Sequence, residues 1–312
     1  MMLAANTNPE PGIYSISHDD YEADPCPTPS LRASLAKIMW QQSPRHVWLQ
    51  HPKLNPGYKP TTSKLLDKGL AIHDLLDKGG ENVVVIDFDS WRTNASKEQR
   101  DEAHAAGKVP ILAADFEEMR VMVDAVSRQL RQIEGFEGSY TSERTVLWRE
   151  GEAWCRSRDD RLPDAGNIVY DYKSCDSAEP EAFTHTLFNL GYDIQAAFHE
   201  RGLKAVGWHE QPELRFVAME RTPPYGVSVI ALGEQARKEA HEKVEWCLSR
   251  WKWCLERDWW PGYSTQVAYV TPPVWVSQKL SERNLRESLV REALGKTEIE
   301  LSINMHKPLE VA

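Results

Sequence analysis

The sequence predicts a mixed α/β (α+β) fold, in which one compact sheet is flanked by helices. Three short runs of strand-like residues follow one another closely between residues 144 and 173. Longer segments with helical periodicity precede and follow these runs. Hydrophobic residues make up 41% of the 312 residues and charged residues 27%, a composition that allows a globular protein to bury a core.

The N-terminal part of the chain is predicted to be an extended arm followed by helices. Five prolines fall within the first thirty residues, a pattern typical of extended chain. Ser30 is the expected N-cap of a helix over Leu31–Trp40. Ser63 is the expected cap of a leucine-rich helix, which the Gly79-Gly80 pair ends. The next predicted elements are a strand over Val83–Ile86 and helices over about 92–108 and 116–133.

The second half of the chain supplies the centre of the predicted sheet. Its three successive strands are expected over Arg144–Arg149, Ala153–Asp159 and Ile168–Lys173. The loop at 162–167 is expected to join the last two as a hairpin. The elements predicted after this hairpin are a helix over Pro180–Arg201, strands over Leu214–Met219 and Val227–Leu232, and helices over Glu234–Arg257 and Glu282–Leu294.

These elements divide into one large domain with two extensions. We expect an N-terminal arm and helix at 1–62, the domain that contains the chemistry at 63–276, and a charged C-terminal helix and tail at 277–312. No apolar stretch approaches the ~20 residues of a membrane span, and the N-terminus does not resemble a signal peptide. Five cysteines without a CxxC pair favour a reducing cytoplasm.

The net charge of −10 argues against a protein that coats nucleic acid non-specifically. Such proteins usually have a basic surface, whereas this chain has 47 acidic and 37 basic residues. The balance leaves room for an enzyme with a local basic channel beside an acidic metal site. We therefore expect a narrow basic track and an acidic exterior.

The main chemical signal is a pair of short motifs on neighbouring strands. Asp160-Arg161 ends one strand, and Asp171-Tyr172-Lys173 lies on the next. Residues i and i+2 of a strand share a face, so Asp171 and Lys173 should project together, with Asp160 brought close by the hairpin. Two carboxylates and an ammonium are what a Mg²⁺-dependent phosphodiesterase needs. An exposed Asp/Lys pair without function is the alternative, since D-x-K occurs often by chance.

The surroundings of these motifs favour the functional interpretation. The apolar run 168–170 indicates a buried strand, whose charged side chains would need partners. The following helix presents Tyr192, Gln195 and His199 at spacings of three and four, on one face. Upstream, His73 lies among leucines, where a hydrogen-bonded core histidine is the simpler explanation for the motif taken alone.

In this order, four motifs resemble the PD-(D/E)xK nuclease superfamily. They are G-x-x-x-H at 69–73, D-R at 160–161, D-x-K at 171–173 and Y-x-x-Q at 192–195. Within that superfamily the chain is similar to the RecB-like, exonuclease VIII-type branch of phage and prophage exonucleases. The resemblance spans roughly 18–276 and includes WPGY at 260–263 and PPVW at 272–275. It implies a restriction-endonuclease-like core with a mixed central sheet flanked by helices.

The resemblance also implies roles for individual residues. His73, Asp160 and Asp171 would be ligands of Mg²⁺ or Mn²⁺, with the backbone carbonyl of Tyr172 completing the set. Lys173 would be the catalytic lysine, acting together with the two carboxylates.

Further residues receive secondary roles from the same resemblance. Gln195 would line the catalytic site, and Tyr192, Arg158 and Arg161 would contact DNA. Ion pairing with nearby acids remains the alternative for the arginines. Glu143 could serve a second metal, although an acidic residue at a strand edge is more often merely solvated. His199 is expected to be peripheral.

The implied activity is a metal-dependent DNA exonuclease. It would degrade linear double-stranded DNA from 5′ to 3′, leaving 3′ single-stranded overhangs for recombination or repair. Its implied partners are DNA ends, a single-strand annealing recombinase and further copies of itself in a ring-like homo-oligomer. The setting would be a bacterial or phage-infected cell. The alternatives are a single-strand-specific or endonucleolytic repair nuclease, and an inactive DNA-binding module of the same fold.

Overall fold

The computed structural model describes residues 9–59, 64–133 and 136–302. The chain divides into two compact units, Met1–Tyr263 and Ser264–Ala312. The first unit contains every strand of the described residues, and the second contains two helices. The domain boundaries expected from the sequence, after residues 62 and 276, stay predictions.

The first unit is built on a seven-stranded mixed sheet in the order β1-β5-β6-β7-β8-β9, with β2 also paired to β6. Most neighbouring strands are antiparallel, whereas β7 runs parallel to β8 and β2 runs parallel to β6. A separate two-stranded sheet consists of β3 and β4. The strands are β1 Gly12–Tyr14, β2 Ser30–Arg32, β3 Val83–Ile86, β4 Val109–Leu112, β5 Tyr140–Glu150, β6 Ala153–Pro163, β7 Ile168–Cys175, β8 Glu213–Glu220 and β9 Val227–Ala231.

Eleven helices occur in the described residues, nine of them in the first unit. No helix of the described ranges has the length and hydropathy that a membrane crossing requires. The helices are α1 His18–Glu22, α2 Ala33–Gln41, α3 Pro44–Leu49, α4 Lys64–Lys78, α5 Asn94–Ala105, α6 Ala113–Leu130, α7 Pro180–Asn189, α8 Tyr192–Ala205 and α9 Glu234–Arg257, followed in the second unit by α10 Val274–Leu294 and α11 Glu298–Ser302.

The central sheet is covered on both faces, and alternate residues of its strands enter two different cores. On β8, Phe216 packs with α2, α8 and α9, whereas Val217 packs with α4 and α6. On β7, Val169 joins the first core, and Tyr170 joins the second. The buried strand predicted from residues 168–170 is therefore confirmed, and each of its faces meets a different layer of helices.

The N-terminal arm is part of the sheet and not a free extension. β1 pairs with β5, and β2 lies beside the first half of β6. Residues 30–32 are thus a strand, and the helix expected from Leu31 begins at Ala33. A buried ion pair fixes this connection, because the guanidinium of Arg156 on β6 lies 3.3 Å from the carboxylate of Asp24.

Two other helix predictions were wrong in extent. The helix expected over 180–201 is two helices, broken at Gly191, whose backbone has a positive φ of 65°. Glycine adopts this conformation without the steric cost of a side chain, and here it starts α8 in a new direction. The helix expected from Glu282 begins eight residues earlier, at Val274, directly after a Pro-Pro pair.

Candidate active site

The site lies where β6 and β7 stop pairing. Arg161 is paired with Tyr170, and no further pair of residues joins the two strands in the described structure. In place of the next ladder bond, the backbone N–H of Tyr172 donates to the side chain of Asp160, with 2.9 Å between N and Oδ2. The separation of the strands thus opens a cleft whose edge carries a carboxylate.

Asp171 is the buried centre of this cleft, with 3% of its surface exposed. The Lys173 ammonium contacts its Oδ2, and the Gln195 amide on α8 donates to its Oδ1 at 2.7 Å. Burial opposes ionisation, but the adjacent Lys173 charge holds the pKa of Asp171 below its usual value. The pKa of Lys173 is raised in turn: burial alone would lower it, but the Asp171 and Asp160 carboxylates outweigh burial. The sequence prediction that Asp171 and Lys173 project together is confirmed.

The N-terminal turn of α8 contacts the same lysine with an aromatic ring. The Nζ of Lys173 lies 4.8 Å from the centroid of the Tyr192 ring, within cation–π range. Tyr192 and Gln195 are one turn apart and therefore face the cleft together, as their spacing predicted.

On the opposite face of β7, α4 brings His73 to the cleft. Its Nδ1 lies 3.6 Å from Asp160 Oδ2, and its ring packs edge-on against Tyr172. Burial and the Asp171 carboxylate raise the pKa of Asp160 to about 6, against the opposing effect of His73. The two aspartates therefore interact electrostatically, as the hairpin predicted.

A further carboxylate, Asp77, lies one turn after His73 on α4. The phenol of Tyr172 donates to Asp77 Oδ1 at 3.0 Å, and a guanidinium nitrogen of Arg161 is 3.7 Å from the same oxygen. Burial raises the pKa of Asp77. No sequence motif pointed to Asp77, although its spacing of four from His73 places both on one face of the helix.

A known family matches the part of the chain that contains this site. Residues 50–273 match the model of a family described as a PDDEXK-like domain of unknown function (DUF3799). The chain belongs to this family. The match contains His73, Asp160, Asp171, Lys173 and Gln195, and it confirms the superfamily resemblance that the motifs indicated. Among curated proteins, none matches this chain.

One of the solved structures similar to this PDDEXK-like domain shares its fold. A Eubacterium rectale protein provisionally assigned as an exonuclease superposes with a TM-score of 0.58 at 13% identity, over 85% of this chain and 98% of that one. A phage-related exonuclease from Haemophilus somnus 129PT gives a TM-score of 0.30 at 10% identity, over 74% and 96%. The alkaline exonuclease LHK-Exo from Laribacter hongkongensis gives 0.28 at 14%, over 62% and 89%.

The two arginines that were expected to contact DNA have partners within the protein. Such pairing is the alternative that the sequence left open for them. Arg161 is 6% exposed, donates to the carbonyl of Phe136 at 2.6 Å, and lies 3.3 Å from the Tyr140 ring centroid. Arg158 is partly exposed, donates to the carbonyl of Ile16 and pairs with Glu143. A role in DNA binding stays a prediction for both, and the burial of Arg161 favours a structural role.

Glu143 lies close to the cleft, but its carboxylate is already paired with two cations. Lys78 donates to its carboxylate at 2.6 Å, and Arg158 lies 3.3 Å away. Burial opposes ionisation, but these two cations hold its pKa below the usual value. Its backbone has a positive φ of 51°, and the pairing of β5 with β6 is interrupted at this residue, opposite Asp160. Service to a second metal stays a prediction.

His199 belongs to the interior of the PDDEXK-like domain, and its expected place outside the catalytic set stays a prediction. It is 4% exposed, and its Nδ1 lies 2.8 Å from Asp159 Oδ1. Asp159 points to the α8 side of β6, away from the His73 side that Asp160 occupies. His199 therefore ties α8 to β6 directly behind Asp171.

The donor types of the cleft fit a hard divalent cation. Asp160 and Asp171 are carboxylates that disfavour each other's charge, and a cation between them would relieve this cost. Among the described residues, Asp171 Oδ2 meets no hydrogen-bond donor besides the Lys173 ammonium. Within those same residues, no three His, Cys, Asp or Glu side chains are grouped as a complete metal centre.

Proposed function

We propose that this protein is a metal-dependent nuclease that hydrolyses phosphodiester bonds of DNA. The observation that supports this most directly is the convergence of Asp160, Asp171 and Lys173 at the fork between β6 and β7. Two interacting carboxylates with an adjacent ammonium match the needs of phosphate hydrolysis, in which negative charge develops on phosphate oxygens.

Each residue has a separate task in this proposal. Asp160 and Asp171, with His73 and the Tyr172 carbonyl, would hold Mg²⁺ or Mn²⁺. Such a cation would neutralise the scissile phosphate and make water more acidic. Lys173 would donate a hydrogen bond to the attacking water or to a phosphate oxygen, because its contact with Asp171 keeps it charged. The product would carry a 5′ phosphate.

Gln195 and Tyr192 support the catalytic groups from α8. The Gln195 amide holds one oxygen of Asp171, and the Tyr192 ring lies beside the Lys173 ammonium. Both contacts restrict the Asp171 and Lys173 side chains, which lowers the entropy lost when substrate binds.

The finer proposal is an exonuclease that acts on linear duplex DNA. Following the resemblance to the exonuclease VIII-type branch, we propose digestion from 5′ to 3′ that leaves 3′ overhangs for recombination. A ring-like homo-oligomer and a single-strand annealing partner belong to the same proposal. A ring would let an acidic subunit stay on DNA by topology, without strong electrostatic affinity. Its action would take place in the cytoplasm of a bacterial or phage-infected cell.

A strand-specific digestion assay tests this proposal. Linear duplex labelled at either 5′ or 3′ end, nicked circle and single strand are each incubated with Mg²⁺, with Mn²⁺ or with a chelator. The expected result is metal-dependent release of nucleotides from the 5′ end of linear duplex, with circles resistant. Cleavage of the nicked circle at sites away from its nick would identify an endonuclease, and preference for single strands would identify the single-strand alternative.

The inactive-module alternative makes a separate prediction in the same assay. Such a module would bind DNA without cleaving it under any metal condition. The presence of Asp160, Lys173 and Gln195, each of which interacts with Asp171, favours an active site. An absence of cleavage of all three DNA forms would contradict the proposed nuclease.

A further inference from the structure

A lysine outside the family match contacts the residues that α8 contributes to the cleft. Lys37 lies on α2, whereas the family match begins at residue 50. Its ammonium is 3.3 Å from Gln195 Oε1, and it lies 4.8 Å from the Tyr192 ring centroid. None of the four short motifs includes this residue, although the resemblance over roughly 18–276 covers its segment.

The contacts with Lys37 and with Asp171 favour the same orientation of the Gln195 amide. An ammonium has three donors and no acceptor, so the amide must turn its oxygen toward Lys37. The amide nitrogen then faces Asp171, to which it donates at 2.7 Å. In the flipped orientation, two donors would meet at Lys37 and two oxygens would meet at Asp171. The chain of contacts therefore runs from Lys37 through Gln195 to Asp171 and on to Lys173.

The surroundings of Lys37 disfavour its positive charge, and a charged residue kept at such a position is a candidate for a functional role. Burial and the neighbouring Lys173 together lower the pKa of Lys37 to about 8, against the attraction of Asp171 and Asp193. The Lys37 side chain packs closely against the backbone of Gly191. Any side chain at Gly191 would crowd it, because an added Cβ would lie only 3.1 Å from Lys37 Cγ. The backbone break before α8 thus leaves space for this lysine.

We propose that Lys37 is a positioning residue that orients Gln195, and through it the Asp171 carboxylate, for metal binding and catalysis. The inference rests on the proposed nuclease function. It makes the N-terminal segment part of the active site, since α2 supplies a residue that the matched domain does not contain.

A double-mutant cycle with metal binding as a second readout tests this inference. The variants are Lys37→Met, Lys37→Arg, Gln195→Ala and the Lys37→Met/Gln195→Ala double, with Lys97→Met on the exposed side of α5 as the control. We measure kcat and KM on linear duplex, Mn²⁺ affinity by calorimetry, and thermal unfolding. Loss of an outer partner of a metal ligand typically costs about 10–100-fold in affinity or activity, and this is the expected loss for Lys37→Met.

The pattern across the variants decides the inference. We expect Lys37→Arg to recover most of the loss, and Lys37→Met to add nothing to Gln195→Ala, with kcat and Mn²⁺ affinity affected more than KM. Losses that multiply in the double variant would show that Lys37 acts independently of Gln195 and would overturn the inference. Wild-type behaviour of Lys37→Met, or a loss explained by lower stability, would overturn it as well.

A measurement without activity separates this inference from the proposed function. The side-chain amide signals of Gln195 are identified in a nitrogen–proton NMR spectrum by their absence in Gln195→Ala. We expect Lys37→Met to shift them, and Lys97→Met to leave them unchanged. If the wild-type protein neither cleaves DNA nor binds Mn²⁺, the proposed function fails. Unshifted Gln195 signals in Lys37→Met would overturn the positioning role itself.

Discussion

The backbone N–H of Tyr172 donates a 2.9 Å hydrogen bond to the Asp160 carboxylate at the point where β6 and β7 separate. A side chain here replaces a ladder bond, so the N–H group is satisfied although the strands no longer pair. Asp160 is thereby tied to the strand that carries Asp171 and Lys173. The opening of the sheet and the convergence of the charged groups are one structural feature.

Asp160→Asn should separate the charge of this residue from its structural bond. The amide oxygen can still accept the Tyr172 N–H, whereas the metal loses a charged ligand. We expect nuclease activity to fall about 100-fold or more. Stability of the metal-free protein at pH 7 should not fall, because a group with a pKa of about 6 is charged there at a cost that the amide avoids. Digestion assays and thermal melts in chelator check both statements; a clear loss of stability would contradict the second.

Lys173→Ala should abolish cleavage and also reveal the cost of the buried Asp171 charge. Removing a positioned cation from a reaction centre typically lowers kcat by about 10²–10³-fold. The same change leaves the Asp171 carboxylate without its counter-charge, so the melting temperature in chelator should fall and should recover with Mn²⁺. Lys97→Ala serves as the matched control. Equal digestion of end-labelled duplex by variant and wild type would refute the catalytic assignment.

Asp24→Asn tests the connection between the N-terminal arm and the sheet. Burial opposes ionisation of Asp24, but His51, Arg156 and Ser30 hold its pKa at about 2, below the ordinary 3.8. A lowered pKa means that the charged form stabilises the fold above about pH 4, by about 2 kcal/mol, and that this contribution is lost as the pH falls toward 2.

The expected result is therefore a pH-dependent loss of stability in Asp24→Asn. Denaturant unfolding at pH 7 should show the full difference between variant and wild type, and the difference should shrink as the pH falls from 4 toward 2. Asparagine tolerates the positive φ of 66° at this position, so backbone strain should not contribute. A difference that stays constant with pH would point to packing as the cause and not to charge.

Arg161→Lys distinguishes a structural arginine from one that binds DNA. The guanidinium is held against the rings of Tyr140 and Phe136 and bonded to a backbone carbonyl, and a lysine cannot reproduce these contacts. We expect a loss of about 1–3 kcal/mol in stability with little change in the salt dependence of DNA binding. Fluorescence anisotropy over a range of salt concentrations measures the latter. A slope reduced by about one would instead indicate a lost phosphate contact.

Local periodicity allowed much of the fold and site to be predicted. The strand over 168–173, the helix over 234–257 and the shared face of Tyr192 and Gln195 were all correct. The strand follows from a short apolar run, and the helix and the shared face follow from a repeat of 3.6 residues; neighbouring residues set both patterns largely by themselves. The break at Gly191 was not predicted, because a glycine within an apolar helical pattern does not show whether its φ is positive.

By itself, the sequence determined the order of the motifs, the family and the pairing of Asp171 with Lys173, since these follow from spacing along the chain. Only the tertiary structure decided that Lys37 and Asp77 join the cleft, that Arg161 is buried, and that the N-terminal arm enters the sheet. Lys37 and Gln195 are 158 positions apart, and their contact depends on how α2 and α8 pack on the same face. No local pattern encodes that relationship, because packing is a property of the whole buried core.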